Sequence, residues 1–121
     1  MKLYESAEDY LERILILKNK HGVVHAIDIA NDMNFSKPSV SVAMKKLREN
    51  GYVEIAPNGE ITLTESGQKV AYSTYDRHLT LTKALVALGV DEEIARKDAC
   101  KVEHDLSEES FQAIKKYVNK E

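Results

Sequence analysis

No apolar run in the 121 residues approaches the roughly 20 needed to cross a bilayer, and the N-terminus MKLYESAEDYLER is acidic where a secretion signal would be basic and then apolar. A cytoplasmic protein without a membrane partner is therefore expected. Cysteine occurs once, at Cys100, which excludes an intrachain disulfide framework and leaves a thiol that is packed, reactive or a metal ligand. Proline occurs twice, at Pro38 and Pro57, each where an element begins or the chain turns. Internal repeats, low-complexity tracts and long linkers are absent. Net positive charge is lacking too: the total is −3, which taken globally argues against nucleic acid. The segment from Lys37 to Asn50, however, carries +3 and the remainder −6, and local field governs DNA contact. With 43% apolar residues the chain is globular, either one compact domain or two small ones sharing a core.

What is present centres on Ser36–Gly51, SKPSVSVAMKKLRENG. Ser36 caps a helix, Pro38 fits its first turn and Gly51 ends it. Val40, Ala43, Met44 and Leu47 recur at the spacing of a buried stripe, which leaves a basic, small-residue outer side. That side suits a DNA major groove, with Ser36, Lys37, Pro38, Ser39, Ser41 and Val42 at the groove and Lys45 and Lys46 near phosphate. The same segment also fits an ordinary amphipathic surface helix.

Upstream, Ser6 with Asp9 opens a first helix that runs to about Lys18, with Tyr10, Leu11, Ile14, Leu15 and Leu17 apolar. His21-Gly22 breaks it, Val23–Ala26 is extended or loop, and Ile27–Met33 is a short helix turning through Asn34-Phe35 into Ser36. Two short helices joined by a tight turn form the helix-turn-helix pattern. Downstream, Tyr52–Ala56 and Glu60–Thr64 flank Pro57-Asn58-Gly59 as a hairpin wing. Thr64 then caps a helix from Glu65 to about Leu88, stopped by Gly89. Asp91 caps another reaching about Leu106, and Ser107 with Ser110 starts the last, striped with Phe111, Ile114, Tyr117 and Val118. The expected fold is mainly α with a small β-hairpin: a winged helix-turn-helix over 1–64 and a helical region over 65–121.

Cys100, Glu103 and His104 fall at i, i+3 and i+4 of one expected helix, so thiolate, carboxylate and imidazole share a face. This S/O/N mixture suits a first-row divalent ion and is too soft for a dedicated magnesium or calcium site. Asp9 and Glu12 on the first helix and His78 on the long one are able to complete a shell. Each member also has an ordinary reading, as helix-dipole carboxylate, core thiol or hydrogen-bonded imidazole. His21 and His25 receive no role.

Several collinear pieces resemble one family, the metal-dependent bacterial repressors typified by the diphtheria toxin repressor and the manganese transport regulator. They are Glu8-Asp9-Tyr10-Leu11-Glu12, Asp28-Ile29-Ala30 with Ser36–Ser41, Leu63-Thr64-x-x-Gly67, Arg77-His78, Leu88-Gly89-Val90 and Glu103-His104-x-Leu106-Ser107. The resemblance implies a winged helix-turn-helix, a helical dimerisation region and a metal site, in the short branch without an SH3-like domain. It places Asp9, Glu12, His78, Glu103 and His104 on ligand positions of manganese regulators. Cys100 stands where the manganese branch has Glu and the iron-responsive branch has Cys, and Thr82 where some members supply a carboxylate. The implied protein is a homodimeric, non-enzymatic repressor of manganese or iron uptake genes. It would bind Mn²⁺ or Fe²⁺, accept Zn²⁺ or Co²⁺ in vitro, and read double-stranded palindromic operator DNA. The rival readings are a metal-independent winged-helix regulator switched through Cys100, a metalloenzyme, and a protein-binding winged helix.

Overall fold

A computed structural model describes residues 5–120. Among them the order is α1 (Glu5–His21), α2 (Ala26–Met33), α3 (Lys37–Glu49), β1 (Val53–Ile55), β2 (Ile61–Leu63), α4 (Glu65–Ala87), α5 (Glu92–Val102) and α6 (Glu108–Val118). This is the mainly helical fold with a small hairpin that the sequence predicts. The chain divides into two compact units, one up to Tyr72 and one from Ser73, with the division inside α4.

In the first unit, α1 buries Tyr10, Leu11, Ile14, Leu15 and Leu17, the expected face. Ser6 already lies inside this helix, so it is not the cap predicted for it, and Met1–Tyr4 lie outside the described residues. The helix runs past Lys18 to His21 because Gly22 takes φ 84° and its N–H donates to the Lys18 carbonyl at 2.8 Å. At the start of α2, Asp28 reaches back to accept the His25 N–H at 2.8 Å, so His25, given no role from sequence, is the cap residue. Asn34 ends α2 at φ 58°, a left-handed conformation that asparagine tolerates, and turns the chain into α3.

The α3 boundaries follow the local chemistry. The Ser36 hydroxyl accepts the Ser39 N–H at 3.2 Å, and Val40, Met44 and Leu47 are buried. Together with Leu11, Ile14, Val24, Ile29, Val53 and Ile61 they make the interior of this unit, each fully buried side chain stabilising it by about 1.5–3 kcal/mol.

The hairpin pairs Val53 with Leu63, Glu54 with Thr62 and Ile55 with Ile61. Its strands are three residues each, shorter than the β-rich runs suggest. Its turn is a three-residue loop, Pro57-Asn58-Gly59, closed by the Ala56 N–H donating to the Glu60 carbonyl at 2.9 Å. Gly59 alone in it takes positive φ, 89°, while the Asn58 side chain accepts the Glu60 N–H, so the turn is not the two-residue Asn-Gly type. Ile61 also donates to the Val24 carbonyl at 2.8 Å, tying the 23–26 segment to the wing.

Thr64 joins wing to helix. Its hydroxyl donates to the Gly51 carbonyl at 2.6 Å and accepts the Gly67 N–H at 3.2 Å, capping α4. Gly67 is buried, and a Cβ there would lie 2.0 Å from the Tyr52 carbonyl oxygen, so only glycine lets α4 pass this close to the wing.

In the second unit, Asp91 caps α5 and Ser107 caps α6 through the Glu93 and Ser110 N–H groups, as predicted. Leu81, Ala95, Ala99 and Phe111 are buried, and Lys115 of α6 pairs with Asp76 of α4 at 2.6 Å. Helix α5 stops at Val102, four residues before the expected Leu106. Leu79, Leu88 and Tyr117, the last of them part of the stripe expected for the final helix, are 49%, 80% and 79% exposed in the single chain. No helix among the described residues is long and apolar enough to cross a membrane.

Candidate metal centre

Helix α4 carries Arg77 and His78 side by side, and the Cys100–Glu103 turn stands at the end of α5. Because α5 ends at Val102, Glu103 is its C-cap residue and His104 lies in the following turn, not on a continuous helical face. Glu103 keeps right-handed helical angles, φ −58° and ψ −27°, so the i, i+3 relation to Cys100 survives.

His78, Cys100 and Glu103 each offer a donor atom, and these atoms all lie within 4.8 Å of one another. Glu103 is 1% exposed, His78 half-buried and Cys100 open to solvent. His78 Nδ1–H donates to Glu103 Oε2 at 3.1 Å. The other oxygen, Oε1, is buried with no hydrogen bond, and His104 Nε2 stands 3.4 Å from it. Burying a carboxylate in this way costs several kcal/mol unless positive charge compensates it. The imidazole responds: hydrogen bonds to Cys100 and then to Glu103 push the His78 pKa up to about 10, against the opposing effect of burial. The imidazole thus lies hydrogen-bonded between the thiol and the carboxylate. Thiolate, imidazole and a buried carboxylate with a spare oxygen fit a first-row divalent metal.

The remaining expected ligands, Asp9 and Glu12, belong to the first unit. They occupy one i, i+3 edge of α1, with Asp9 half-buried and Glu12 5% exposed. Thr82, a candidate ancillary position, donates its hydroxyl to the His78 carbonyl at 2.7 Å, an internal back-bond on α4.

On α3 every residue of the expected DNA face is exposed: Ser36, Lys37, Pro38, Ser39, Ser41, Val42, Lys45 and Lys46. Val42 is 56% exposed, although apolar. The Ser36 hydroxyl is committed to capping and to a 2.8 Å bond with the Ser39 hydroxyl, so it orients the helix start more than it reaches outward. Ser39, Val42 and Lys46 also line a cleft of about 470 Å³ against Ser6, Ala7 and Tyr10 of α1.

Arg77 is a working residue that no sequence spacing points to, although Arg77-His78 is one of the pieces that carry the family resemblance. Its guanidinium donates to the Glu103 carbonyl at 3.1 Å, the Leu106 carbonyl at 2.6 Å and Glu108 Oε2 at 2.9 Å. Only the fold brings those partners to it.

A family model described as the iron dependent repressor N-terminal DNA binding domain matches residues 2–61, and its metal binding and dimerisation domain matches residues 64–120. An uncharacterized HTH-type transcriptional regulator of Methanocaldococcus jannaschii is 40% identical over 118 residues, 96% of this chain and 94% of that protein. The transcriptional regulator MntR of Escherichia coli O157:H7 is 35% identical over 116 residues, 96% of this chain and 75% of that one. Among solved structures, the manganese regulator SloR superposes with TM-score 0.82 at 28% identity over 98% of this chain, and IdeR of T. acidophilum with 0.79 at 28% over 94%. The chain spans about half the length of these two solved chains, 55% and 53%. A metal-binding second half leaves the metal-independent reading, in which Cys100 alone switches the protein, without support. The chain belongs to the iron dependent repressor family of metal-dependent, DNA-binding transcriptional regulators.

Proposed function

We propose that this chain represses manganese or iron uptake genes in the cytoplasm as a homodimer that reads a palindromic operator when loaded with Mn²⁺ or Fe²⁺. Zn²⁺ and Co²⁺ serve in vitro. Residues 1–64 read DNA and residues 65–121 bind metal and dimerise. The ligands are Asp9, Glu12, His78, Cys100, Glu103 and His104. The bound cation supplies the positive charge that lets closely placed carboxylates and a thiolate coexist in a poorly solvated site.

The protein's own groups do the rest. Glu103 contributes a carboxylate with one oxygen hydrogen-bonded to His78 and the other without a hydrogen bond, 3.4 Å from His104 Nε2. To ligate a cation His78 would have to be without its proton at the ligating nitrogen, so occupancy would favour higher pH. Lys45 and Lys46 neutralise phosphates, while Lys37, the Ser41 hydroxyl and the Val42 side chain stand at the groove. The exposed apolar residues Leu79, Leu88 and Tyr117 supply surface for a second copy. Glutamate at the position of Cys100 suits manganese, and the thiol shifts preference towards Fe²⁺.

The carrying observation is the convergence of three donors of different softness, one of them a buried carboxylate with an oxygen that accepts no hydrogen bond, in a chain with an exposed basic helix. The test begins with an operator selected from random-sequence duplexes in the presence of Mn²⁺. Affinity for it is then measured on metal-stripped protein, with EDTA, and after return of each divalent ion. Binding that appears only on return of a transition metal is expected. Equal binding by stripped protein refutes the proposal.

A further inference from the structure

The carbonyls at the end of a helix need donors, and α5 ends within one residue of the group most deeply committed to the candidate centre. Glu103 is held twice from α4. Its side chain accepts from His78 Nδ1 at 3.1 Å, and its main-chain carbonyl accepts from Arg77 Nη1 at 3.1 Å. The same nitrogen donates to the Leu106 carbonyl at 2.6 Å, so one guanidinium grips both ends of the 103–106 turn. Its other nitrogen donates to Glu108 Oε2 at 2.9 Å, and its plane lies over the Phe111 ring at 5.0 Å, which anchors the turn to the first part of α6. The Arg77 side chain is only 14% exposed, so its two carbonyl bonds are part-buried, whereas the bond to Glu108, 63% exposed, faces solvent. Successive residues on a helix point about 100° apart, which is how adjacent positions hold the backbone and the side chain of one glutamate separately.

We infer that Arg77 is a positioning residue for the metal centre: its guanidinium fixes the Glu103 backbone and the 103–106 turn, and thereby the placement of the Glu103 carboxylate relative to His78 and Cys100. The assignment rests on the metal-dependent reading above. Lysine cannot replace it, because an ammonium lacks the planar fork that serves two carbonyls and a carboxylate from fixed directions. Residues supporting ligands in this way typically contribute 10–100-fold in metal affinity. Glu108 and Phe111 anchor the guanidinium from outside the turn, so loss of the Glu108 charge alone leaves the two carbonyl bonds in place.

Wild type, Arg77→Lys, Arg77→Met and Glu108→Gln are compared as full-length protein with Co²⁺ alone as the probe. Affinity is taken from calorimetry and the thiolate-to-cobalt charge-transfer band from absorption, after circular dichroism has shown each variant folded. Arg77→Lys and Arg77→Met are expected to lose roughly 10–100-fold in affinity with a weakened or shifted band, while Glu108→Gln stays within about threefold. A merely structural arginine would lower the melting temperature and leave the band of the folded protein unchanged. Should Arg77→Met fail to fold, Arg77→Lys decides, since it keeps a cation over Phe111. Wild-type affinity and band in a folded Arg77→Lys overturn the inference and leave the metal reading intact. If wild type itself binds no Co²⁺, the metal reading fails and this assignment with it.

Discussion

Replacing Gly67 by alanine sets two effects of opposite sign against each other. Alanine is the better helix former by about 1 kcal/mol, so on propensity alone the change would stabilise α4. The fold reverses the sign. A Cβ at this position would lie 2.0 Å from the Tyr52 carbonyl oxygen and 3.1 Å from its carbon, so the two segments must separate by about 1.4 Å to restore ordinary contact at ~3.4 Å. The obstacle is backbone, which cannot rotate aside. The Tyr52 carbonyl accepts the Thr64 N–H at 3.1 Å, and losing that bond costs roughly 1 kcal/mol. Thr64 in turn caps α4 through the Gly67 N–H at 3.2 Å, a contact whose loss costs a further 1 kcal/mol or so. Local overpacking adds about 1–3 kcal/mol. The net destabilisation is roughly 2–4 kcal/mol, a fall of about 10 °C in melting temperature for a chain of this size. Urea and thermal unfolding of the metal-free protein measure it, with Ser66→Ala in the same exposed first turn as a control expected to stay within about 0.5 kcal/mol. Wild-type or greater stability in Gly67→Ala would show that the wing and α4 are not held this close.

The site and the reading head carry further expectations. Cys100→Ser should weaken Zn²⁺ binding on the order of tenfold more than Mn²⁺ binding, because an alcohol oxygen is harder than a thiolate; calorimetry showing the same metal order in both proteins would remove the thiol from selectivity. The His78 pKa is raised from 6.5 to about 10 in the folded protein, so its stabilising contribution is full below the unfolded value and is lost as pH rises through the folded one. In metal-free protein the stability difference between wild type and His78→Gln should therefore be larger near pH 6 than above about pH 10, and an unchanged difference would refute the hydrogen-bonded imidazolium. Lys45→Ala should lower operator affinity similarly for all sequences and reduce the salt slope by about 0.9 per subunit; an unaltered slope would move the phosphate contact elsewhere.

Local chemistry alone determined the caps and the basic helix. Ser36, Thr64, Asp91 and Ser107 each satisfy an N–H two or three residues on, so their role depends only on neighbours in the chain. The apolar stripes of α1 and α3 were equally legible, because a period of 3.6 residues needs no knowledge of what packs against it. The donor trio was half legible: Cys100 and Glu103 share a helical face by spacing, whereas His104 was assigned to that face only because nothing in Val102–Leu106 announces the end of α5. That end is stabilised by Arg77, which lies 26 residues from Glu103 and 29 from Leu106 in the chain. The Gly67 clash with Tyr52 and the Val24 bond to Ile61 are of the same kind. Sequence by itself therefore determined the caps of α3, α4, α5 and α6, the inward stripes of α1 and α3, and which chemistries are available, but not the starts of α1 and α2. Tertiary structure decided where α5 stops, why position 67 admits only glycine and which oxygen of Glu103 accepts no hydrogen bond, because those outcomes depend on distances between segments that no local periodicity encodes.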